Sequence, residues 1–79
     1  MDMSQKIDFY LEDHAHIALN DLLKMTGIAD SGGSAKHMVA EGLINVNGVL
    51  ELRKTAKIVD GSKVTGKGFE ILVHAGFEG

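Results

Sequence analysis

The sequence predicts an α+β fold, two short helices packed on a small antiparallel β-sheet. Three observations lead there. Apolar residues recur with a helical period from Leu19 to Gly42 and with a period of two after it. Glycines stand at both points where the helical pattern stops, Gly27 and Gly42. Asn47-Gly48 lies between two short apolar runs, and this dipeptide supplies the two positive-φ residues of a type I′ hairpin turn.

The elements follow in order. Ile7, Phe9 and Leu11 alternate with Asp8 and Tyr10, so residues 6–11 read as a first, half-buried strand. Leu19, Leu22, Leu23 and Thr26 then fall at i, i+3, i+4 and i+7, one face of a helix of about two turns that Gly27 ends. A second helix starts at Ser31, a good N-cap, carries Ala35, Met38 and Val39 on one face, and stops at Gly42. So short a link, residues 28–31, requires a helix-turn-helix corner.

After the corner, residues 44–46 and 49–51 form the hairpin around Asn47-Gly48. A basic stretch, residues 52–57, leads to Ile58-Val59, an Asp60-Gly61 turn, a strand at 63–65, a turn at 66–68 and a strand at 69–73. The first and last strands are expected to pair, since neither could stay ordered alone. Residues 75–79 are expected to fray. The expected core is Leu19, Leu22, Leu23, Ala35, Met38, Val39, Ile44, Val46, Ile58, Val64, Ile71 and Val73.

Seventy-nine residues support one core, so a single domain over residues 1–79 is expected. Without cysteine there is no disulfide, no thiolate zinc site and no thiol catalysis, which fits a reducing cytoplasm. The start of the chain is polar and no apolar run reaches the ~18 residues of a membrane span. Neither export nor membrane attachment is expected.

The formal net charge of −3 argues against a nucleic-acid partner when taken as an average. Its distribution argues otherwise. Residues 24–67 hold seven cations against four anions, a local +3, whereas the two flanks together carry −6. Within the basic middle, residues 31–36 open a helix with Gly32 and Gly33 and place Lys36 one turn on. Free backbone N–H groups and a nearby ammonium make a phosphate site, with a flexible turn and a solvated lysine as the plainer alternative. Arg53, Lys54 and Lys57 follow the hairpin closely and can form one patch with Lys36 if helix and loop share a face.

Other chemistry lacks its parts. His14 and His16 are close in sequence, with His37 and His74 elsewhere, but no second ligand motif accompanies them and they read as surface or capping histidines. Ser34 and His37 stand one helical turn apart without a third member or an oxyanion hole. The chain is therefore expected to be no enzyme and to need no metal and no cofactor.

The order of these elements, with Leu22-Leu23, Gly27, Ser31, Ala35, Gly42, Val46-Asn47-Gly48, Gly61 and Val64, resembles the S4-type RNA-binding domain over residues 19–65. Ser31-Gly32-Gly33, with Ala35-Lys36 and the short flanking strands, looks most like the small stand-alone bacterial proteins of that class. The resemblance implies an αL motif whose helical corner and adjoining loop grip structured RNA. By position, Lys36, Arg53 and Lys54 match places where the family holds RNA-contacting basic residues. Many members have Arg directly after the capping Ser, where Gly32 stands here.

The expected RNA-binding set is thus Ser31, Gly32, Gly33, Lys36, Asn47, Arg53, Lys54 and Lys57. The aromatics Phe9, Tyr10, Phe69 and Phe77 are not interleaved with the basic stretch, so base stacking on a single strand is not expected. The expected partner is structured RNA, ribosomal or transfer RNA among the candidates, bound by a monomer. Two other readings compete. One is a protein-interaction module of the same fold with little RNA affinity. The other, prompted by residues 44–48, is a ubiquitin-like sulfur carrier, which would end Gly-Gly where this sequence ends Gly76-Phe77-Glu78-Gly79.

Overall fold

The computed structural model describes residues 5–79, and the first four residues of the polar N-terminus lie outside them. The elements are β1 (Gln5–Tyr10), β2 (Ile17–Ala18), α1 (Leu19–Met25), α2 (Gly32–Ala40), β3 (Asn45–Val46), β4 (Val49–Leu50), β5 (Lys57–Ile58), β6 (Lys63–Gly66) and β7 (Phe69–His74).

Both helices end where their glycines require. Thr26 closes α1, its Oγ1 donating to the Leu22 carbonyl at 2.8 Å, and Gly27 follows at φ +82°. Ser31 caps α2 by accepting from the Ser34 N–H at 3.1 Å, and Gly42 follows that helix at φ +75°. The hairpin turn at Asn47 (φ 53°) and Gly48 (φ 83°) has the left-handed pair a type I′ turn needs.

Five strands form one sheet in the order β1-β7-β6-β3-β4, and β2 pairs with β5 apart from it. The first and last strands do pair, but in parallel, Gln5 opposite Phe69 through Tyr10 opposite His74. The sheet is therefore mixed, not the wholly antiparallel one that the sequence predicts. Alternation identifies a strand but carries no direction. Direction is set by the crossover, because the long connection through both helices returns the chain to the side from which β1 set out. Two further expectations change. Ile58 is recruited by Ile17 into the β2–β5 pair and does not join the main sheet. Part of the tail expected to fray is tied down, the Ala75 N–H donating to Asp60 Oδ1 at 2.9 Å and Glu12 bridging to Gly76.

Leu19, Leu22 and Leu23 of α1 and Ala35 and Val39 of α2 close on Ile44, just before β3, and on the inward residues of the sheet, Val64, Ile71 and Val73. Met38 and Val46, expected in this core, are only partly buried and pack against it. Leu11, Ala29, Ala56, Ile58 and Phe69 complete it. Phe69 lies over Gly66, where a Cβ would come 2.7 Å from its Cζ and 3.1 Å from the Leu43 carbonyl oxygen. Only a residue without a side chain fits beneath the ring. Gly66→Ala is accordingly expected to destabilise the fold by about 1–3 kcal/mol, read from the urea midpoint.

Candidate nucleic-acid interface

Helix α1 begins after Ala18, which has no side chain able to cap it. Its first N–H groups are satisfied from outside. Leu19 N–H donates to the Ala56 carbonyl and Asn20 N–H to the Lys54 carbonyl, both at 2.9 Å. Inside the loop, Ala56 N–H donates to the Arg53 carbonyl at 3.1 Å, and upstream Glu51 N–H donates to the Ile44 carbonyl at 3.0 Å. Residues 51–56 are thus bonded at one end to the sheet and at the other to α1. Ala56 points into the core, while Arg53, Lys54 and Lys57 stay exposed.

Arg53 is not a loose cation. Its Nε and Nη2 donate to the two carboxylate oxygens of Glu51, each at 3.1 Å, and its backbone N–H adds a third bond to Glu51 Oε2 at 3.0 Å. These bonds, the side-chain ones first, hold the Glu51 carboxyl down at about pKa 2 and raise Arg53 above its ordinary value. Among the described residues, Lys36, Lys54 and Lys57 have no carboxylate partner.

On α2 the burial follows the helical period, so that Gly33, Lys36, His37 and Ala40 share the exposed stripe opposite Ala35 and Val39. Ser31, Gly32 and Gly33 open this helix. Residues 50–52 pass its other end, with Leu50 and Leu52 methyls 3.9 Å from where a Cβ on Gly42 would lie. About 12 Å of helix separates Gly32 from Ala40. Of the sequence-predicted residues, Arg53, Lys54 and Lys57 therefore lie beside the start of α1, Ser31, Gly32 and Gly33 at the far end of α2, Lys36 one turn into that helix, and Asn47 apart from them at the hairpin turn.

Asn47 serves the fold. Its Oδ1 accepts from the Lys63 N–H at 2.8 Å and its own N–H donates to the Lys63 carbonyl at 2.8 Å. That contact brings exposed Lys63, which sequence reasoning left out, beside the hairpin tip. Glu51 was also missed, although its signal was present, since residues two apart in an extended segment project to the same side. Lys57 lies in β5, paired with Ala18, and not in an open loop.

The remaining polar clusters are small. His74 Nε2 lies 2.9 Å from Asp8 Oδ1 and its ring stacks on Tyr10 at 4.9 Å between centroids, while His37 Nε2 lies 3.7 Å from Glu41 Oε1. Among the described residues no three His, Cys, Asp or Glu side chains converge as a metal site. An open depression of about 660 Å³, lined among others by Tyr10, Glu12, His14, His16 and Asp21, contains none of the sequence-predicted site residues. Among the described residues no helix is long and apolar enough to cross a membrane.

The Glu51–Arg53 pair has a measurable signature. A carboxyl with a lowered folded-state pKa contributes stability that is present above its ordinary value, and the contribution disappears as pH falls through about 2. The carbon-detected NMR titration of the Glu51 carboxyl is expected to have its midpoint near 2, and an ordinary midpoint in the folded protein would show that the pair does not form.

Comparison with known proteins agrees with this architecture. The sequence profile of the S4 domain matches residues 9–74. The chain is 45% identical over 67 residues to YbcJ of Escherichia coli K12, spanning 85% of this chain and 96% of that protein, and equally so to YbcJ of Shigella flexneri. The solution structure of Escherichia coli YbcJ superposes with a TM-score of 0.71 at 43% identity over 95% of each chain. That structure is described as revealing an αL motif involved in RNA-binding. With the profile spanning both helices and every strand of the mixed sheet in whole or in part, this chain belongs to the S4 domain family.

Proposed function

We propose that this protein is a non-catalytic, cytoplasmic RNA-binding module. In this reading residues 1–79 form one domain with its core motif at 19–65, acting as a monomer on structured RNA such as ribosomal or transfer RNA. The observation that carries it is the fastening of residues 51–56 to the start of α1, which leaves Arg53, Lys54 and Lys57 exposed on a backbone that is itself hydrogen-bonded. A rigid basic segment without aromatic side chains reads phosphates and shape better than it reads bases. Kinship with YbcJ, whose αL motif is described as involved in RNA-binding, supports the same reading.

The α2 end supports a second contact. Gly32 and Gly33 have helical φ, and an added Cβ would meet nothing within 4 Å at Gly32 and only Ser31 Oγ at 3.9 Å at Gly33. The fold itself gives no reason for glycine at either position. Close approach of a phosphate to the bare N–H groups does. Ser31 keeps its side chain for the cap, and Lys36 lies one turn on.

One observation favours the other reading, a protein-interaction module. Leu43, Val49, Leu50 and Leu52 are all more than half exposed around the hairpin. The two readings separate in a salt titration on a stem-loop and on a single strand of the same composition. Replacing one contacting cation should lower the salt slope by about one unit. Reversing Arg53 and Lys54 together to Glu should nearly abolish binding, whereas Lys6→Glu, on the edge strand β1, should not. Equal loss from Lys6→Glu, or better binding of the single strand, would refute the proposed surface.

Glycine replacement supplies an independent check. Gly32→Ala and Gly33→Ala are expected to stabilise the fold by about 0.4–1 kcal/mol each, by restricting the unfolded chain. They are also expected to weaken RNA binding. A gain in stability with unchanged affinity would remove the start of α2 from the interface.

A further inference from the structure

We infer that Glu51 is a positioning residue for RNA recognition, a buttress that holds Arg53 by one edge and turns its other edge toward a phosphate. This deepens the reading of residues 53–57 as an RNA-contacting segment and rests on it.

The geometry is that of a side-on grip. Glu51 takes the Nε hydrogen and one Nη2 hydrogen of Arg53, through two bonds of 3.1 Å. A guanidinium has five donors, so three remain, and two of them form the end-on fork between Nη1 and Nη2. That fork matches two oxygens of one phosphate. The two partners also differ in freedom. Glu51 is 18% exposed and Arg53 78% exposed. The acid is therefore the anchored half and the base the presented half. Glu51 is fixed at its N–H by the Ile44 carbonyl and at its carboxylate by the Arg53 N–H.

A carboxylate beside a polyanion site opposes binding through its charge and can favour it only through geometry. The pair as a whole is close to neutral, so the attraction felt at a distance comes from Lys54, Lys57 and Lys36. What Arg53 adds is direction. An arginine already immobilised loses less side-chain freedom on contact, which for a long side chain corresponds to about a three- to tenfold gain in affinity. Because the Glu51 carboxyl is held near pKa 2, the arrangement persists across the physiological pH range.

The test uses the full chain and one stem-loop RNA at fixed salt. Glu51→Gln is expected to weaken binding about three- to tenfold although it removes a negative charge. Glu51→Asp, which keeps the charge but not the reach, is expected to weaken it similarly. In an Arg53→Lys background, where no fork exists to be aimed, Glu51→Gln is expected to cause no loss. The Arg53 Nε–H resonance, protected in the parent protein, should exchange with water in Glu51→Gln, and urea unfolding of each variant separates these effects from loss of fold. The inference is overturned if Glu51→Gln strengthens binding alike in both backgrounds, if Glu51→Asp behaves as the parent, or if the Nε–H resonance is unchanged by Glu51→Gln. Failure of the underlying RNA reading is seen separately, as Arg53→Lys and the Arg53/Lys54 reversal leaving affinity unaltered, and it overturns both.

Discussion

Helix α1 starts at a residue with no capping side chain, and its first two N–H groups would be orphans in a protein that ended its basic loop elsewhere. Unpaired donors at a helix start carry a free-energy cost when water is kept from them. Here the carbonyls of Lys54 and Ala56 meet the N–H groups of Asn20 and Leu19. A defect in one local element is thereby remedied by a segment more than thirty residues away. The remedy determines where the loop can lie, which side of it faces inward at Ala56, and which side chains are left over for a partner. The β2–β5 pair, with Ala18 opposite Lys57, continues the same contact by two residues and brings Ile58 into the core against Ile17. Packing and presentation of the basic side chains are in this sense one event.

That arrangement also resolves the conflict between an acidic chain and the anionic partner proposed for it. Acidic side chains are concentrated toward the chain ends, where β1, the 12–13 turn and β7 carry Asp8, Glu12, Asp13 and Glu70. The one acid within the basic loop is paired with its arginine. Fields from exposed charges fade over about a Debye length, some 8–10 Å at ordinary salt. A phosphate at the loop therefore responds to nearby lysines more than to the average charge of the molecule. Lys36 stands apart from the loop on α2, one turn from the start of that helix, which runs about 12 Å from Gly32 to Ala40.

Glycine does three different jobs here. At Gly27, Gly42 and Gly48 the backbone turns left-handed, which other residues adopt only under strain. At Gly66 the backbone is ordinary and the constraint is the Phe69 ring above it. At Gly32 and Gly33 neither reason holds, and the space above the chain is open. Sequence cannot separate these cases, since all six read as glycine near a turn or a helix end. Only the surroundings of each Cα distinguish them.

The elements were legible because they depend on neighbours in sequence. A helical period ended by glycine, a capping Ser31, an Asn-Gly turn and alternating apolar residues in β7 are all enforced within a few residues, and each stands where the pattern puts it. Ten of the twelve expected core residues are fully buried for the same reason. From charge alone the loop could be recognised as basic, with Lys36, Arg53, Lys54 and Lys57 as candidates, and the resemblance to the S4-type domain picked out Lys36, Arg53 and Lys54 by position. What the sequence could not carry was anything requiring two distant segments to meet. The parallel direction of β1 against β7 depends on a crossover path, the pairing of Ile58 with Ile17 on a competition between edges, and the tethering of Ala75 on Asp60 being within reach. Division of the candidate site between the start of α1 and the start of α2 is of the same kind. So is the capping of α1 by carbonyls of the loop. Local patterns are written in side chains and can be read one after another. Those contacts join backbone groups, which are alike in every residue, and only the folded chain selects which of them come together.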